Sequence, residues 1–210
     1  MFWFYYIFKI CMYIPFSIIY PMKVYGKKNL VRKGAVIFAP NHQHWMDCMY
    51  LLFKVPRKSQ IIGKIEIRKS KFLNFFAWGF RWPLFDRKNP TLGFFREVDS
   101  ILKKERALGI FPEGTRRENE NEALEAKGGV AFFAIKHDTW VQPMAIEKKC
   151  KAFKRNRLII GEAYKIEKKE GVGTKELIAI STKELSVKIE ELYAQFKAMD
   201  DAKAAKKNKK

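Results

Sequence analysis

A length of 210 residues suits one domain with its own hydrophobic core, and nothing in it requires a second. The three cysteines, Cys11, Cys48 and Cys150, are widely spaced without a C-x-x-C or Cys/His cluster, which argues against a structural metal site and for a reducing compartment. The formal net charge is +20, of which only five lysines lie in the last eight residues, so about +15 belongs to the rest. Such a charge attracts nucleic acid, anionic lipid headgroups or phosphorylated substrates, and by itself it does not distinguish between these partners.

The first 22 residues are apolar over about the length that crosses a bilayer, interrupted by Lys9 and Pro15. No basic region precedes this stretch and no small-residue cleavage site follows it, which argues against a cleaved signal peptide. Residues 2–6 are all aromatic, and such side chains favour the headgroup level of a membrane. We therefore predict a membrane anchor over residues 1–22 that is interfacial or re-entrant, with a spanning helix or a buried core helix as alternatives.

Short apolar runs alternate with helical patterns through residues 23–199. A β-branched run that ends in proline, residues 35–40, predicts a buried strand, and residues 44–54 predict the helix after it. An amphipathic pattern predicts another helix over residues 91–105. Further apolar runs predict strands within residues 59–65, 82–86, 107–112, 139–146 and 157–164. This alternation indicates an α/β fold with a mostly parallel sheet flanked by helices.

The C-terminal pattern predicts a helix that packs on the domain. Ser181 and Glu184 stand at capping-box spacing, which places the start of the helix at Ser181. One apolar stripe then comprises Leu185, Ile189, Leu192, Phe196 and Met199. Residues 200–210 are predicted to be a disordered basic tail. The predicted organisation is therefore an anchor over 1–22, a domain over 23–199 and a tail over 200–210.

The segment FAPNHQHWMD, residues 38–47, is the first candidate for chemistry. His42 and Asp47 are five residues apart, and inside one regular helix such residues point about 140° away from each other. Because Pro40 and Asn41 interrupt the chain before His42, we place His42 in a strand-to-helix turn, where its ring can fold back onto Asp47. A carboxylate on one ring nitrogen leaves the other free to act as a general base. The alternative is that Asp47 or Asn41 only caps a helix.

The segment IFPEGTRR, residues 110–117, is the second candidate and also follows an apolar run. Gly114 allows a tight turn or a close approach to a ligand, and Arg116 offers a planar fork suited to phosphate. Glu113 could accept a hydrogen bond from a substrate hydroxyl or hold the arginine.

Charged residues also follow two other apolar runs. Asp86 and Arg87 come directly after one of them, and if this run and that before Arg116 are strands of one sheet, the two arginines can converge on one dianion. Lys64 and Glu66 are predicted to share one face of a strand.

In chain order, the segments NHQHWMD, GKIEI, FDRK, FPEGTR and VQPMAI resemble the four sequence blocks and the intervening lysine-bearing strand of the glycerolipid acyltransferases. Within that family they are most similar to the lysophosphatidic acid acyltransferases. The resemblance covers roughly residues 34–163, and the ordered set is far more specific than any single block. It implies the glycerol-3-phosphate acyltransferase-like fold.

The resemblance also implies residue roles. His42 resembles the catalytic base of the family and Asp47 the aspartate that orients it, while Pro143 resembles a proline near the acyl donor. Lys64 and backbone N–H groups are candidate donors to the oxyanion. The implied substrate-binding residues are Lys64, Arg87, Glu113, Gly114, Thr115 and Arg116.

The sequence departs from the family pattern in places. His44 stands where the family often has serine, although only His42 has the required spacing to an aspartate. Ala126 stands directly before Lys127 of the lysine–glycine segment that usually follows FPEGTR, where the family commonly has an aromatic residue. Gln142 replaces an apolar residue before Pro143. Cys48 is a rival nucleophile beside Asp47, but we expect it to pack within the helix.

The implied reaction transfers an acyl chain from acyl-CoA or acyl-carrier protein, as co-substrate, to the sn-2 hydroxyl of 1-acyl-glycerol-3-phosphate, giving phosphatidic acid. No cofactor or metal is expected. Anionic membrane lipids are expected partners, at the cytoplasmic face of the cell membrane, and the aromatic segment 72–82 is expected to line an acyl tunnel or enter the bilayer.

Two kinds of alternative remain open. Within the same chemistry, the acceptor could be glycerol-3-phosphate, another lysophospholipid or an amine-bearing lipid. From a different class, the charge permits a non-catalytic basic protein that binds lipid or nucleic acid. No RNP1 motif or zinc-finger spacing supports nucleic acid, which is not an expected partner.

Overall fold

A computed structural model describes residues 3–116, 124–147, 151–168 and 170–207; Cys150 and residues 208–210 of the predicted tail lie outside these ranges. The helices are α1 (Trp3–Ile19), α2 (Asp47–Lys54), α3 (Lys71–Phe80), α4 (Leu92–Lys103), α5 (Gly129–His137) and α6 (Thr174–Lys207). The strands are β1 (Met22–Tyr25), β2 (Val36–Pro40), β3 (Ser59–Ile61), β4 (Gly63–Lys64), β5 (Leu84–Phe85), β6 (Ala107–Gly109), β7 (Trp140–Ile146) and β8 (Asn156–Ile160).

Six of the strands form one sheet in the order β1-β8-β7-β2-β6-β3. All neighbours in it are parallel except β7 and β8, which are antiparallel. The predicted α/β fold with a mostly parallel sheet is therefore confirmed. Because β2, β6 and β7 run in the same direction, the loops that leave their carboxyl ends meet at one edge of the sheet.

Alternate residues of β2 divide the core into two layers. Val36 and Phe38 pack in the cluster that contains residues of α1 and α2. Ile37 and Ala39 face the opposite way, into the cluster that contains residues of α4, α5 and α6. This period of two, with every residue of β2 buried, is the pattern of a central strand covered by helices on both faces.

Helices α1 and α3 pack against each other through aromatic rings. Phe4 contacts the rings of Phe75, Phe76 and Phe80. Gly79 of α3 makes this approach possible, since a Cβ there would collide with the Phe4 ring. Among the described residues, none of the helices has both the length and the hydrophobicity needed to cross a bilayer.

A very short connection joins α1 to the sheet, since only Tyr20 and Pro21 separate it from β1. The backbone carbonyl of Ile19 accepts a hydrogen bond from Phe153 N–H at 2.6 Å, and that of Pro21 accepts one from Asn156 N–H at 2.8 Å. The end of α1 is therefore fastened to the segment that leads into β8.

The C-terminal helix differs from its prediction at both ends. It begins at Thr174 instead of Ser181, which is buried inside it, because Leu177 already packs in the protein and extends the helix backwards. The residues at 200–207, predicted to be disordered, continue the helix. Asp200 accepts hydrogen bonds from the Arg157 guanidinium of β8, which holds this part of α6 against the sheet.

The prediction that Lys64 and Glu66 share a strand face was wrong. Strand β4 ends at Lys64, and residues Ile65–Lys69 form a 3₁₀ helix. The partner of β4 is β5, which is itself only two residues long, so this ladder ends before Glu66.

Candidate active site

The connection between β2 and α2, residues 41–46, lies at the carboxyl edge of the sheet. Asn41 is buried, and its side chain donates to Ile146 O at 2.9 Å and accepts from Ile146 N–H at 2.6 Å. Asn41 therefore ties the end of β2 to the end of β7 and is not a helix cap. The predicted helix start at residue 44 was wrong, because residues 44–46 belong to this connection.

The predicted contact between His42 and Asp47 is confirmed. His42 Nδ1 lies 2.9 Å from Asp47 Oδ2, and the same oxygen accepts the backbone N–H groups of Gln43 and His44, both at 2.7 Å. Asp47 is fully buried, whereas the His42 side chain keeps 16% of its exposure. Because an ionised carboxylate only accepts, Nδ1 carries the ring proton and Nε2 presents a lone pair. Nε2 is therefore the ring nitrogen that can accept a proton from another molecule.

The FPEGTR loop packs directly against His42. The Phe111 ring stacks on the imidazole, with centroids 4.0 Å apart and planes at 25°. Glu113 is 7% exposed, and its Oε1 accepts the backbone N–H of His42 at 2.8 Å. The structure thus places one oxygen of Glu113 on the main chain of His42, a contact that the sequence did not reveal.

Gly114 is the point where basic side chains converge. Its φ of +69° and the 3.0 Å hydrogen bond from its N–H to Phe111 O form a tight turn. A Cβ there would lie 3.0 Å from Arg87 Nη2 and 3.4 Å from Lys127 Cδ, so both side chains pass over the glycine. Thr115 and Arg116 follow in the same loop and are exposed.

Arg87 reaches this loop by a route that differs from the prediction. Strand β5 belongs to the separate two-stranded ladder with β4, so the two arginines do not follow strands of one sheet. Lys64 pairs with Phe85 across that ladder, which places Lys64 and Arg87 at the same end of it. Lys127 was missed as a site residue, although the segment EAKGGVA after FPEGTR signals it.

Cys48 does not have the environment of a nucleophile. Burial of its thiol, followed by the negative charge of Asp47, raises the pKa of Cys48 to about 12, even though the positive charge of Arg116 acts in the opposite direction. The thiol therefore stays protonated near neutral pH. His44 is also distinguished from His42, because its Nδ1 accepts the N–H of Met46 at 3.2 Å.

A second histidine–aspartate pair lies away from this site. His137 Nε2 is 2.8 Å from Asp99 Oδ1, and Lys136 Nζ is 2.7 Å from Asp99 Oδ2. His137 ends α5, three residues before β7 begins, so the pair lies toward the amino edge of the sheet. No local sequence pattern predicts this pair, since the two residues are 38 positions apart.

The chain is similar to known acyltransferases in sequence. The profile of the Acyltransferase family matches residues 21–147. Over 177 residues the chain is 28% identical to the 1-acyl-sn-glycerol-3-phosphate acyltransferase of Bacillus subtilis, covering 81% of this chain and 87% of that protein. It is 31% identical over 134 residues to the Helicobacter pylori protein of the same name, covering 63% of this chain and 55% of that protein.

The fold has a counterpart among solved structures. The crystal structure of the 1-acyl-sn-glycerophosphate acyltransferase PlsC from Thermotoga maritima superposes with a TM-score of 0.63, at 22% identity, over 90% of this chain and 79% of that one. At this identity the likeness concerns the fold. Because the family profile spans more than half of the chain, the protein belongs to the acyltransferase family.

Proposed function

We propose that this protein is an O-acyltransferase that transfers an acyl chain from a thioester to the sn-2 hydroxyl of 1-acyl-glycerol-3-phosphate, giving phosphatidic acid for phospholipid biosynthesis. The observation that carries the proposal is the His42–Asp47 contact, beside a glycine turn on which basic side chains converge. Relatives matched over most or about half of their length bear the name of this activity.

In the reaction, His42 Nε2 removes the proton of the sn-2 hydroxyl as its oxygen attacks the thioester carbonyl. Asp47 stabilises the imidazolium that forms. The tetrahedral intermediate then collapses, the carbon–sulfur bond breaks, and the proton on His42 passes to the departing thiolate. A positioned base supplies about 10²–10⁴ in rate, so the rest of the acceleration comes from orienting the two substrates and stabilising the oxyanion.

The acceptor's phosphate is assigned to the cations around Gly114. Arg87 passes over this glycine, Arg116 follows it in the loop, and Lys64 leaves the same end of the small ladder as Arg87. Arginine forks bind phosphate oxygens with charge-assisted hydrogen bonds, which are stronger than neutral ones. Thr115, exposed in the same loop, is the hydroxyl assigned to the glycerol phosphate.

We assign the protein to the cytoplasmic face of the cell membrane, with anionic lipids as partners. The support is an apolar layer on α1 and α3, whose exposed side chains include Trp3, Tyr6, Ile10, Ile14, Phe72, Phe75 and Trp78. Arg68, Lys69 and Lys71 are exposed directly beside the start of α3. Each cation near an anionic leaflet contributes about 1 kcal/mol of attraction. No cofactor and no nucleic acid enter the proposal.

Thiol release tests the reaction. Purified protein in mixed micelles is given acyl-CoA and lysophosphatidate, and free thiol is followed with a thiol-reactive dye, beside a His42→Ala variant. We expect release that requires lysophosphatidate and is lost in the variant. Acyl-carrier protein replaces CoA in a second series, and a panel of acceptors includes glycerol-3-phosphate. No thiol release with either donor and any acceptor would overturn the proposal.

Tryptophan quenching tests the membrane assignment. Variants that keep a single tryptophan, either Trp78 of α3 or Trp140 at the start of β7, are mixed with vesicles that carry a lipid-borne quencher. Both side chains are exposed, but they lie in different parts of the fold. We expect quenching of Trp78 and not of Trp140. Equal quenching, or none, would contradict docking through α3.

A further inference from the structure

The two sequence motifs of the site are interlocked at His42. The backbone N–H of Ile110 donates to Phe38 O at 2.9 Å, which continues the contact between β2 and β6 to the edge of the sheet. Immediately beyond, Phe111 stacks on the His42 ring and Glu113 Oε1 accepts the His42 N–H. The FPEGTR loop is therefore the surface against which the His42 main chain and ring both rest.

We propose that Glu113 is a positioning residue that fixes the main chain of His42, in place of the substrate-holding role that the family resemblance implies. The proposal rests on the proposed function, because it concerns the same base. His42 follows the last paired residue of β2, Pro40, by only two positions, so its N–H lies beyond the strand ladder. Glu113 supplies the acceptor that the ladder no longer provides.

The strength of this contact follows from its surroundings. Glu113 is 7% exposed, so water competes little for its carboxylate. A hydrogen bond from a backbone N–H to an ionised carboxylate is stronger than one between neutral groups. His42 is thus held at two points by two carboxylates, with Asp47 on ring Nδ1 and Glu113 on the amide nitrogen. With Phe111 on the face of the ring, the direction of Nε2 is determined.

The loop that carries Glu113 is itself anchored to the C-terminal helix. Lys127 N–H donates to Pro112 O at 2.8 Å. The segment that contains Lys127 is held in turn by α6, through Ser186 Oγ, which accepts the Ala126 N–H at 3.2 Å, and Glu190 Oε1, which accepts the Leu124 N–H at 2.8 Å. Pro112, the residue before Glu113, is therefore held through residues 124–127 by α6, which restrains the backbone from which Glu113 projects.

Two substitutions separate positioning from substrate binding. Glu113→Gln keeps an oxygen acceptor for the His42 N–H but removes the charge, whereas Glu113→Leu removes the acceptor at similar size. If Glu113 positions the base, the Leu variant lowers kcat by about 10²-fold, the cost of a small misplacement of a catalytic group. The Gln variant recovers most of kcat, and the KM for lysophosphatidate stays the same in both. Glu176→Leu, the same change at an exposed site of α6, is the matched control.

Amide exchange gives a readout that does not depend on activity. The exchange rate of the His42 N–H is measured by NMR on ¹⁵N-labelled protein in micelles. We expect slow exchange in the wild type and Glu113→Gln, and fast exchange in Glu113→Leu with the rest of the protein still folded. A raised KM with unchanged kcat in either variant, or a His42 amide that stays protected in Glu113→Leu, would overturn the proposal. Should the wild type fail to acylate lysophosphatidate, the proposed function fails, and the exchange rates still decide whether Glu113 holds His42.

Discussion

Two histidine–aspartate pairs in this protein have nearly the same separation and very different surroundings. The distance is 2.9 Å for His42–Asp47 and 2.8 Å for His137–Asp99. Asp47 is fully buried and its Oδ2 accepts two backbone N–H groups besides the ring, while the side chain of Asp99 is 21% exposed and shares its charge with Lys136. The first pair uses Nδ1 and the second uses Nε2.

The distance between a histidine and an aspartate therefore does not by itself mark a catalytic base. Burial acts to raise the pKa of Asp99, but hydrogen bonds from Lys136 and His137 outweigh it and hold the pKa below its ordinary value. The Asp99 carboxylate thus already has a lysine ammonium group beside it, at 2.7 Å. At Asp47 the described partners are the His42 ring and backbone amides, so the carboxylate is available to stabilise a charge that forms on the ring.

Removing each histidine should give the largest contrast. We expect His42→Ala to lower kcat/KM for acyl transfer by about 10²–10⁴, the usual contribution of a positioned base. His137→Ala should change it by less than about twofold, because His137 lies in a different part of the fold. Thiol-release kinetics with both variants provide the measurement, and comparable losses in the two would erase the distinction between the pairs.

The aspartates should differ in the same direction with a smaller effect. Asp47→Asn leaves the imidazole in place but removes the charge that stabilises its protonated form, so we expect kcat to fall by about 10²-fold. Its new N–H₂ group would also lie near the position of Oδ1, which has no hydrogen-bond partner among the described residues. Asp99→Asn should leave kcat unchanged. Thermal unfolding of both variants accompanies the kinetics, and a kcat loss explained by unfolding in Asp47→Asn would contradict the expectation.

The cations beside the two pairs should also behave differently. Arg87→Gln removes a guanidinium from the Gly114 turn, and we expect KM for lysophosphatidate to rise about 10–100-fold, the range for a lost charged hydrogen bond. Lys136→Gln removes a lysine that already pairs with Asp99, so KM should not change. Saturation curves in lysophosphatidate at fixed donor measure both. An unchanged KM in Arg87→Gln would remove this residue from the phosphate site.

Among the residues around His42, a small effect is expected at Cys48, the neighbour of Asp47. With a pKa of about 12, its thiolate fraction at pH 8 is about 10⁻⁴, and it rises only as the pH approaches 12. We expect Cys48→Ser to keep activity within about threefold, since a serine is of similar size. In a Cys11→Ser, Cys150→Ser background, iodoacetamide at pH 8 should modify Cys48 slowly in the folded protein and rapidly after unfolding. Rapid labelling of the folded protein would show an activated thiol and reopen a covalent mechanism.

The sequence predicted those parts of the site that depend on near neighbours. His42 and Asp47 are five residues apart, and the break at Pro40 and Asn41 was sufficient to infer that the ring turns back onto the carboxylate. The contact of Glu113 with the His42 backbone spans 71 positions and depends on how two loops pack at the sheet edge, which no local pattern encodes. The same applies to Arg87, whose strand joins a ladder of its own.

The spacing of the apolar residues predicted the alternation of strands and helices, because burial of one or both faces of an element determines that spacing. The residues at which α6 begins and ends were predicted less accurately. Ser181 and Glu184 have capping-box spacing inside a continuous helix, where upstream packing of Leu177 overrides the local signal. The tail was predicted from its charge, but the ion pair of Asp200 with Arg157 extends the helix through residues that composition alone assigns to disorder.

The two-residue link between α1 and β1 has a consequence for kinetics. Because Ile19 is hydrogen-bonded to Phe153, before β8, and Pro21 to Asn156, the first residue of β8, the connection between α1 and the sheet cannot act as a flexible linker. A membrane surface that binds α1 therefore holds His42 at a constant distance from that surface. The acceptor must then reach His42 by lateral diffusion in the surface. In the proposed reaction the rate should then follow the mole fraction of lysophosphatidate among the surrounding lipids, so that added inert detergent slows turnover at constant bulk concentration.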